Sequence, residues 1–224
     1  MLNIFSIVEG RGEVEAVPVL IRRVGTENGL YHINAKAAYF PRGSLVQGRE
    51  LGRAMNLAAL HVGRAGGVLI FVDADDDDPT LLGPQLLRQA MSARPDVPCK
   101  VILAKREYEA WFLAAAESLR GRRGLSTNLE APENPEHIRD AKGWLTYHMS
   151  KDAPYSPTLH QAALTETFEK TSLNNPRKSS SVLTCTALAR TCDAPGKPLK
   201  YAPSCPRICR IPTFSPYQAT FRSA

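Results

Sequence analysis

Five carboxylates within six residues, Asp73-Ala74-Asp75-Asp76-Asp77-Asp78, directly follow the apolar run Val68–Val72. A short, uninterrupted apolar run entered from Gly66-Gly67 reads as a buried strand. Its end is then a point of dense negative charge. Carboxylates so close repel one another, so some must stay protonated or a cation must be drawn in. Whatever fold the chain adopts has to place this loop where that charge is tolerated or used.

The surrounding segments alternate in type. Asn3–Val8 is a second apolar run, bounded by Glu9-Gly10. Beyond Gly10-Arg11-Gly12, residues Val14, Val17, Ile21 and Val24 recur at helical spacing, with Pro18 early enough to be tolerated near a first turn. Tyr31–Phe40 reads as a strand ended by Pro41. Leu51, Ala54, Met55, Ala58 and Val62 trace a helical stripe within 47–64. Leu81–Ala93 reads as a third helix, Lys100–Ala104 as a fourth strand and Glu107–Leu119 as a fourth helix. On that last helix Tyr108, Trp111, Phe112, Ala115 and Leu119 are expected to share one face. This β-α-β-α-β-α-β order predicts an α/β fold, a mostly parallel sheet with helices on both faces and right-handed crossovers. Sites in such folds lie beyond the carboxyl ends of the strands. Two strands here end in acids, one at Glu9 and one at Asp73. Residues 120–169 are polar, with turns expected at Ala131-Pro132 and Asn134-Pro135 and short helical pieces around Ile138–Leu145 and Gln161–Phe168.

Charge separates this body from the C-terminal residues. The chain holds 28 Lys+Arg and 22 Asp+Glu. Eight of the basic residues (Arg177, Lys178, Arg190, Lys197, Lys200, Arg207, Arg210, Arg222) and one acid, Asp193, fall in 171–224. The remainder is close to neutral and gives no whole-molecule argument for a nucleic-acid partner. The same segment carries four of the five cysteines (Cys185, Cys192, Cys205, Cys209) and is rich in Pro, Ser and Thr. It has no apolar periodicity, so a disordered basic tail is expected over 170–224. The Cys205/Cys209 pair lacks a second pair at zinc-knuckle spacing. An out-of-frame reading of a GC-rich gene produces the same composition and is the favoured explanation for it. No run is long and apolar enough for a membrane span. The N-terminal MLNIFSIVEG lacks the pattern of a secretory signal, so a cytoplasmic protein is expected.

Among chemical candidates, oxygen-only ligands favour Mg²⁺ or Mn²⁺ over zinc. The x-D-x-D arrangement can set Asp73 and Asp75 on one side of a strand end, with Glu9 arriving from another strand. Glu13 falls on the first turn of the following helix, where its charge suits the helix dipole. The plainer alternative has equal weight: a solvated acidic loop in which Asp78 caps the helix opened by Pro79. A phosphoacceptor aspartate, as in receiver domains, also stays open. An EF-hand does not fit, because Asp78 stands at the glycine position and Pro84 at the final glutamate position. Gly10-Arg11-Gly12 lacks the third glycine of a dinucleotide fingerprint. His32, His61, His137, His148 and His160 have no ligand spacing, and Cys99 reads as a small buried hydrophobe. At the end of the fourth strand, Lys105 or Arg106 can hold a phosphate and Glu107 or Glu109 can complete a metal shell, while Trp111 and Phe112 anchor their helix on the sheet.

Three stretches together carry a resemblance: Val8-Glu9-Gly10-x-x-Glu13; Phe71-Val72-Asp73-Ala74-Asp75-Asp76-Asp77-Asp78-Pro79; and Glu107-Tyr108-Glu109-Ala110-Trp111-Phe112-Leu113. With Ala141-Lys142-Gly143-Trp144-Leu145 and Tyr155-Ser156-Pro157-Thr158-Leu159-His160-Gln161, they resemble the bacterial family called domain of unknown function 4276, which is related to TOPRIM domains. The likeness covers about 2–169 and fades just after Phe168. It implies a TOPRIM-like core over 1–122 and a family-specific extension over 123–169. It also implies Mg²⁺- or Mn²⁺-dependent phosphodiester chemistry of the kind seen in topoisomerases, primases and overcoming-lysogenization-defect nucleases. On that resemblance Glu9, Asp73 and Asp75 are catalytic metal ligands, Glu13 is the second acid of the nuclease branch, and Glu109 is the helix acid. Lys105 would neutralise the phosphate. The implied partners are nucleic acid, DNA in preference to RNA, and an ATPase in a phage-defence setting. The competing reading is a non-catalytic metal-binding regulatory or protein-interaction module on the same fold.

Overall fold

The computed structural model describes residues 1–63 and 66–169, together with the backbone pairing of Thr184–Cys185. Four strands, β1 (Leu2–Val8), β2 (Ile33–Tyr39), β3 (Gly66–Asp73) and β4 (Cys99–Ala104), form a parallel sheet in the order β2-β1-β3-β4. Thr184–Cys185 (β5) adds an antiparallel pair to β4. The disordered tail expected over 170–224, with its Cys205/Cys209 pair, otherwise lies outside the described residues.

The helices α1 (Glu13–Glu27), α3 (Leu51–Val62) and α4 (Pro79–Ala93) connect successive strands, with a short α2 (Arg42–Val46) ahead of α3. Because β2 lies on one side of β1 and β3 on the other, right-handed crossovers send α1 to one face and α3 and α4 to the opposite one. The packing agrees. Phe5, Ile7, Val68, Ile70, Val72, Val101 and Leu103 meet Leu51, Met55, Val62, Leu82 and Leu86 on one face. Ile4, Val8, Leu69, Phe71, Ile102 and Ala104 meet Ala16, Val17 and Leu20 on the other. All eight residues of β3 are buried, as its uninterrupted apolar run requires.

Beyond β4 the chain differs from expectation. The single helix expected over Glu107–Leu119 is α5 (Ala110–Ala114) followed by a 3₁₀ turn, Ala116–Leu119. Arg106 takes the left-handed conformation (φ 66°), which turns the chain sharply out of β4 and delays the helix. The segment is buried all round, Ala110, Leu113 and Ala114 as fully as Trp111 and Phe112. The extension supplies the second cover, through a 3₁₀ turn at Pro135–His137, α6 (Ala141–Tyr147), a π-type turn at Pro157–Gln161 and α7 (Ala162–Thr167). Phe71 packs on Trp111 and Tyr108 from the sheet side, and Phe168 meets Phe112 edge-on from the other. The aromatics are therefore anchors. Pro18 is inside α1 and buried rather than in its first turn.

Candidate acidic site at the sheet switch point

The strand order reverses between β1 and β3, which makes the crevice at their carboxyl ends the switch point of the sheet. Val8 of β1 pairs with Phe71 of β3, so Glu9 and Asp73 leave adjacent strands at that crevice. Strand alternation puts Asp73 on the side of Leu69 and Phe71, facing α1 and α5. Glu13 reaches the same side from the first residue of α1, and Glu109 from the turn before α5.

These four acids are enclosed. Asp73, Glu13 and Glu109 are buried, Glu109 at 1% exposure. Burial raises the Asp73 pKa well above the usual carboxylate range, and the charges of Glu13, Glu9 and Glu109 push it further, with Lys142 opposing. Burial also lifts Glu9 to about 8, aided by Glu13 and opposed by Arg42. Glu13 is lifted to about 7, chiefly by burial. Its Oε2 accepts a hydrogen bond from the Gly10 amide at 3.1 Å, which fixes the turn between β1 and α1. Glu109 is raised by burial, with Lys142 opposing, and Tyr155 donates to its Oε1 at 3.0 Å. Two carboxylate oxygens, Asp73 Oδ1 and Glu9 Oε2, are buried without a hydrogen-bond partner among the described residues. Buried polar atoms are nearly always hydrogen-bonded, so two such oxygens at one crevice, of which Glu9 Oε2 has only Arg42 at 3.5 Å, call for an explanation.

Two cations attend the cluster. Lys142 of α6 sits 2.9 Å from Glu107 and 3.3 Å from Glu109. Burial works against its charge, but those carboxylates outweigh it and raise its pKa. Arg42, the first residue of α2, approaches Glu9 at 3.5 Å and Asp75 at 3.1 Å and also pairs with Asp77.

The acid run itself divides by environment. Asp73 is in the cluster, whereas Asp75 is half exposed and held by Arg42. Asp76 pairs with Arg106 and Arg139. Asp78 caps α4 by accepting from the Thr80 amide at 2.8 Å, as the capping reading expects. Lys105 lies 3.1 Å from Glu136 of the extension. Asp75 (φ 49°) and Arg106 (φ 66°) are both left-handed, and the Asp75 amide bonds to the Arg106 carbonyl at 3.0 Å. The loops after β3 and β4 are thereby locked together by two strained residues, a feature concentrated at functional sites.

Sequence reasoning assigned no role to Arg42, Lys142 or Tyr155. Arg42 could have been found, because it follows the carboxyl end of β2 at the same edge as Glu9 and Asp73. Lys142 and Tyr155 come from segments with no periodicity linking them to the sheet. Two of the histidines pack on neighbouring rings: His61 stacks on Phe5, and His148 lies against Trp144. Burial pushes the Cys99 thiol up to about 11.

The family model described as domain of unknown function (DUF4276) matches residues 8–195. The chain belongs to the DUF4276 family. Every residue of the acidic site falls within the matched span. The DUF4276 match runs on past the boundary near 169 read from the sequence and includes Thr184–Cys185, so the family domain does not stop where the composition changes. No curated protein and no solved structure matches the chain. Among the described residues, no helix is long and apolar enough to cross a membrane.

Proposed function

We propose that this DUF4276 domain is a Mg²⁺- or Mn²⁺-dependent nuclease, acting on DNA in preference to RNA. The observation that carries the reading is the enclosed cluster of Glu9, Glu13, Asp73 and Glu109 at the switch point, with a buried Asp73 oxygen that has no hydrogen-bond partner and a buried Glu9 oxygen met only at ion-pair distance by Arg42. The donor set fits a hard cation. It offers carboxylate oxygen, and the raised pKa values record how poorly the protein alone neutralises it. As the side chains stand, no three His, Cys, Asp or Glu among the described residues gather around one ion. Glu9 and Asp75 are both drawn to Arg42, so a shared ion requires them to turn from it.

Glu9, Asp73 and Asp75 are the residues that would hold the ion, with Glu13 and Glu109 behind them. A bound divalent cation supplies Lewis-acid polarisation of a phosphate oxygen and lowers the pKa of bound water. The remaining roles belong to the chain. The Gly10 amide fixes the Glu13 carboxylate, Tyr155 and Lys142 fix Glu109, and burial keeps bulk water from the buried acids. Lys105, which follows β4 and lies 3.1 Å from Glu136, would neutralise phosphate charge from the rim on this reading. The TOPRIM-like resemblance supports this assignment and extends it to a cytoplasmic phage-defence protein working with an ATPase.

One observation favours a second reading. Arg42 and Lys142 already pair with acids of the site, as they would in a non-catalytic regulatory module on this fold. Plasmid nicking by the purified chain in Mg²⁺ or Mn²⁺, beside Asp73→Asn, separates the two. Circular dichroism checks that both proteins are folded, and calorimetry measures the metal. Cleavage and metal binding that both vanish in the variant support the nuclease. A folded wild-type chain that binds the metal but cuts nothing, with or without the ATPase, supports the module.

A further inference from the structure

Arg42 has a set of contacts that no helix cap or surface ion pair requires. Pro41 precedes it at the start of α2, and the Phe40 amide bonds to the Val8 carbonyl at 2.8 Å, so the end of β2 is tied to the end of β1 just before it. From that fixed point the guanidinium spans the crevice. Nε donates to the Asp73 carbonyl at 3.3 Å, and Nη2 donates to the Ala74 carbonyl at 3.4 Å and to Asp77. Nε also stands 3.1 Å from Asp75 Oδ2 and 3.5 Å from Glu9 Oε2. One cation thus draws on carboxylates from the β1 end and from the loop after β3. Glu9 and Asp75 are the two acids that must reorient before they can share an ion with Asp73, whose buried Oδ1 has no partner. The contacts run through Nε and Nη2, and Nη1 makes none among the described residues.

We propose that Arg42 is the built-in counterion of the acidic site: it holds Glu9 and Asp75 until a divalent cation takes them, and the released guanidinium then binds the phosphate of the substrate. The proposal rests on the metal-dependent reading above. Its physics is competition for the same carboxylates. A planar fork with several donors holds two acids at once, and the same fork matches phosphate oxygens once those acids are neutralised. The Asp73 and Ala74 carbonyls keep the side chain at the crevice throughout, so exchange of partner needs no movement of α2.

The test uses the full chain and two ligands that require no turnover, Mg²⁺ and inorganic phosphate, both measured by calorimetry in wild type, Arg42→Gln, Arg42→Lys and Asp73→Asn. Arg42→Gln is expected to bind Mg²⁺ about tenfold more tightly and, in saturating Mg²⁺, to bind phosphate at least about tenfold more weakly, the scale of one charged hydrogen bond. Arg42→Lys keeps the competing charge and is expected to retain near wild-type Mg²⁺ affinity. A purely structural arginine would instead leave both variants with the same loss. Mg²⁺ affinity that is unchanged or lower in Arg42→Gln, while Asp73→Asn abolishes binding, overturns the counterion role and leaves the metal reading standing. Tighter Mg²⁺ with unchanged phosphate affinity overturns the proposal as stated. Wild-type Mg²⁺ affinity in Asp73→Asn overturns the metal reading, and Arg42's role with it.

Discussion

The Tyr155 hydroxyl donates to Glu109 Oε1 at 3.0 Å, joining a residue of the C-terminal extension to a carboxylate beneath the sheet edge. Both residues are buried, so the bond is made without competition from water. It is one of the contacts by which the extension holds the acidic site rather than merely covering the sheet. Tyr155→Phe removes the donor and keeps the ring. The expected loss is about 1–3 kcal/mol of unfolding free energy, because a buried carboxylate oxygen is left unpaired. Urea denaturation of the two proteins at pH 8 measures it, and a change below about 0.5 kcal/mol, the level of an ordinary surface substitution, would show that Glu109 finds another partner.

Stability without metal should fall as the solution becomes more alkaline. Glu9 and Glu13 titrate near 4.5 when unfolded, but burial lifts them to about 8 and about 7 in the folded chain. A raised carboxylate pKa means that the folded state holds protons which the unfolded state has released. The contribution is therefore fully present below about pH 4.5 and is lost as pH rises through the folded values, at up to about 1.4 kcal/mol per pH unit for each retained proton. Thermal melts in a chelator are expected to decline between pH 5.5 and 8.5. Excess Mg²⁺ should flatten the decline, because the ion takes the place of the protons. A melting temperature that rises over that interval in chelator would contradict the enclosed-acid geometry.

Gly12 bears on the site through the extension. A Cβ at this position would collide with the Gln161 side chain and the Pro157 backbone. The turn from Gly10 to Glu13 is thus pressed against the π-type turn at 157–161, and only a residue without a side chain allows that approach. Gly12→Ala should cost about 1–3 kcal/mol, as overpacking does. It should also weaken Mg²⁺ binding, since the Glu9 and Glu13 carboxylates flank the displaced turn. Denaturant titration and calorimetry read the two effects separately. Loss of stability with unchanged metal affinity would place the contact outside the site's support.

The legible part of this chain was the part that repeats at strand or helix period. Val68–Val72 had to be buried on both faces, and the sheet places it centrally, with Asp73 at the switch point. Asp78 before Pro79 announced its cap directly. The extension was opaque for a physical reason. Tyr155, Lys142 and Phe168 lie in short turns and helices whose burial comes from long-range docking, so no local pattern betrays it. The same docking buries Ala110, Leu113 and Ala114, which defeats a one-face reading of α5. Arg42 is legible only through the topology, which sets the end of β2 beside the end of β1 and so brings one base to the acids.

Lys142 supplies the sharpest test of how the site is balanced. Its ammonium lies within 3.3 Å of both Glu107 and Glu109, and Glu109 is almost fully enclosed. Removing the cation leaves a buried negative charge with no counter-charge beside it, held by the Tyr155 hydroxyl and a backbone amide, a change that typically costs about 3–5 kcal/mol. Lys142→Met is therefore expected to be strongly destabilised in chelator. Glu109→Gln in the same background removes the orphaned charge and should restore a large part of the loss, so the pair is strongly non-additive. Excess Mg²⁺ should stabilise Lys142→Met by more than it stabilises wild type, because the ion then meets an acid cluster short of one cation. Denaturation of the wild type, both single variants and the double variant gives the coupling. Additivity of the two substitutions would mean that Lys142 answers chiefly to Glu107 at the rim, and that Glu109 is neutral as it stands.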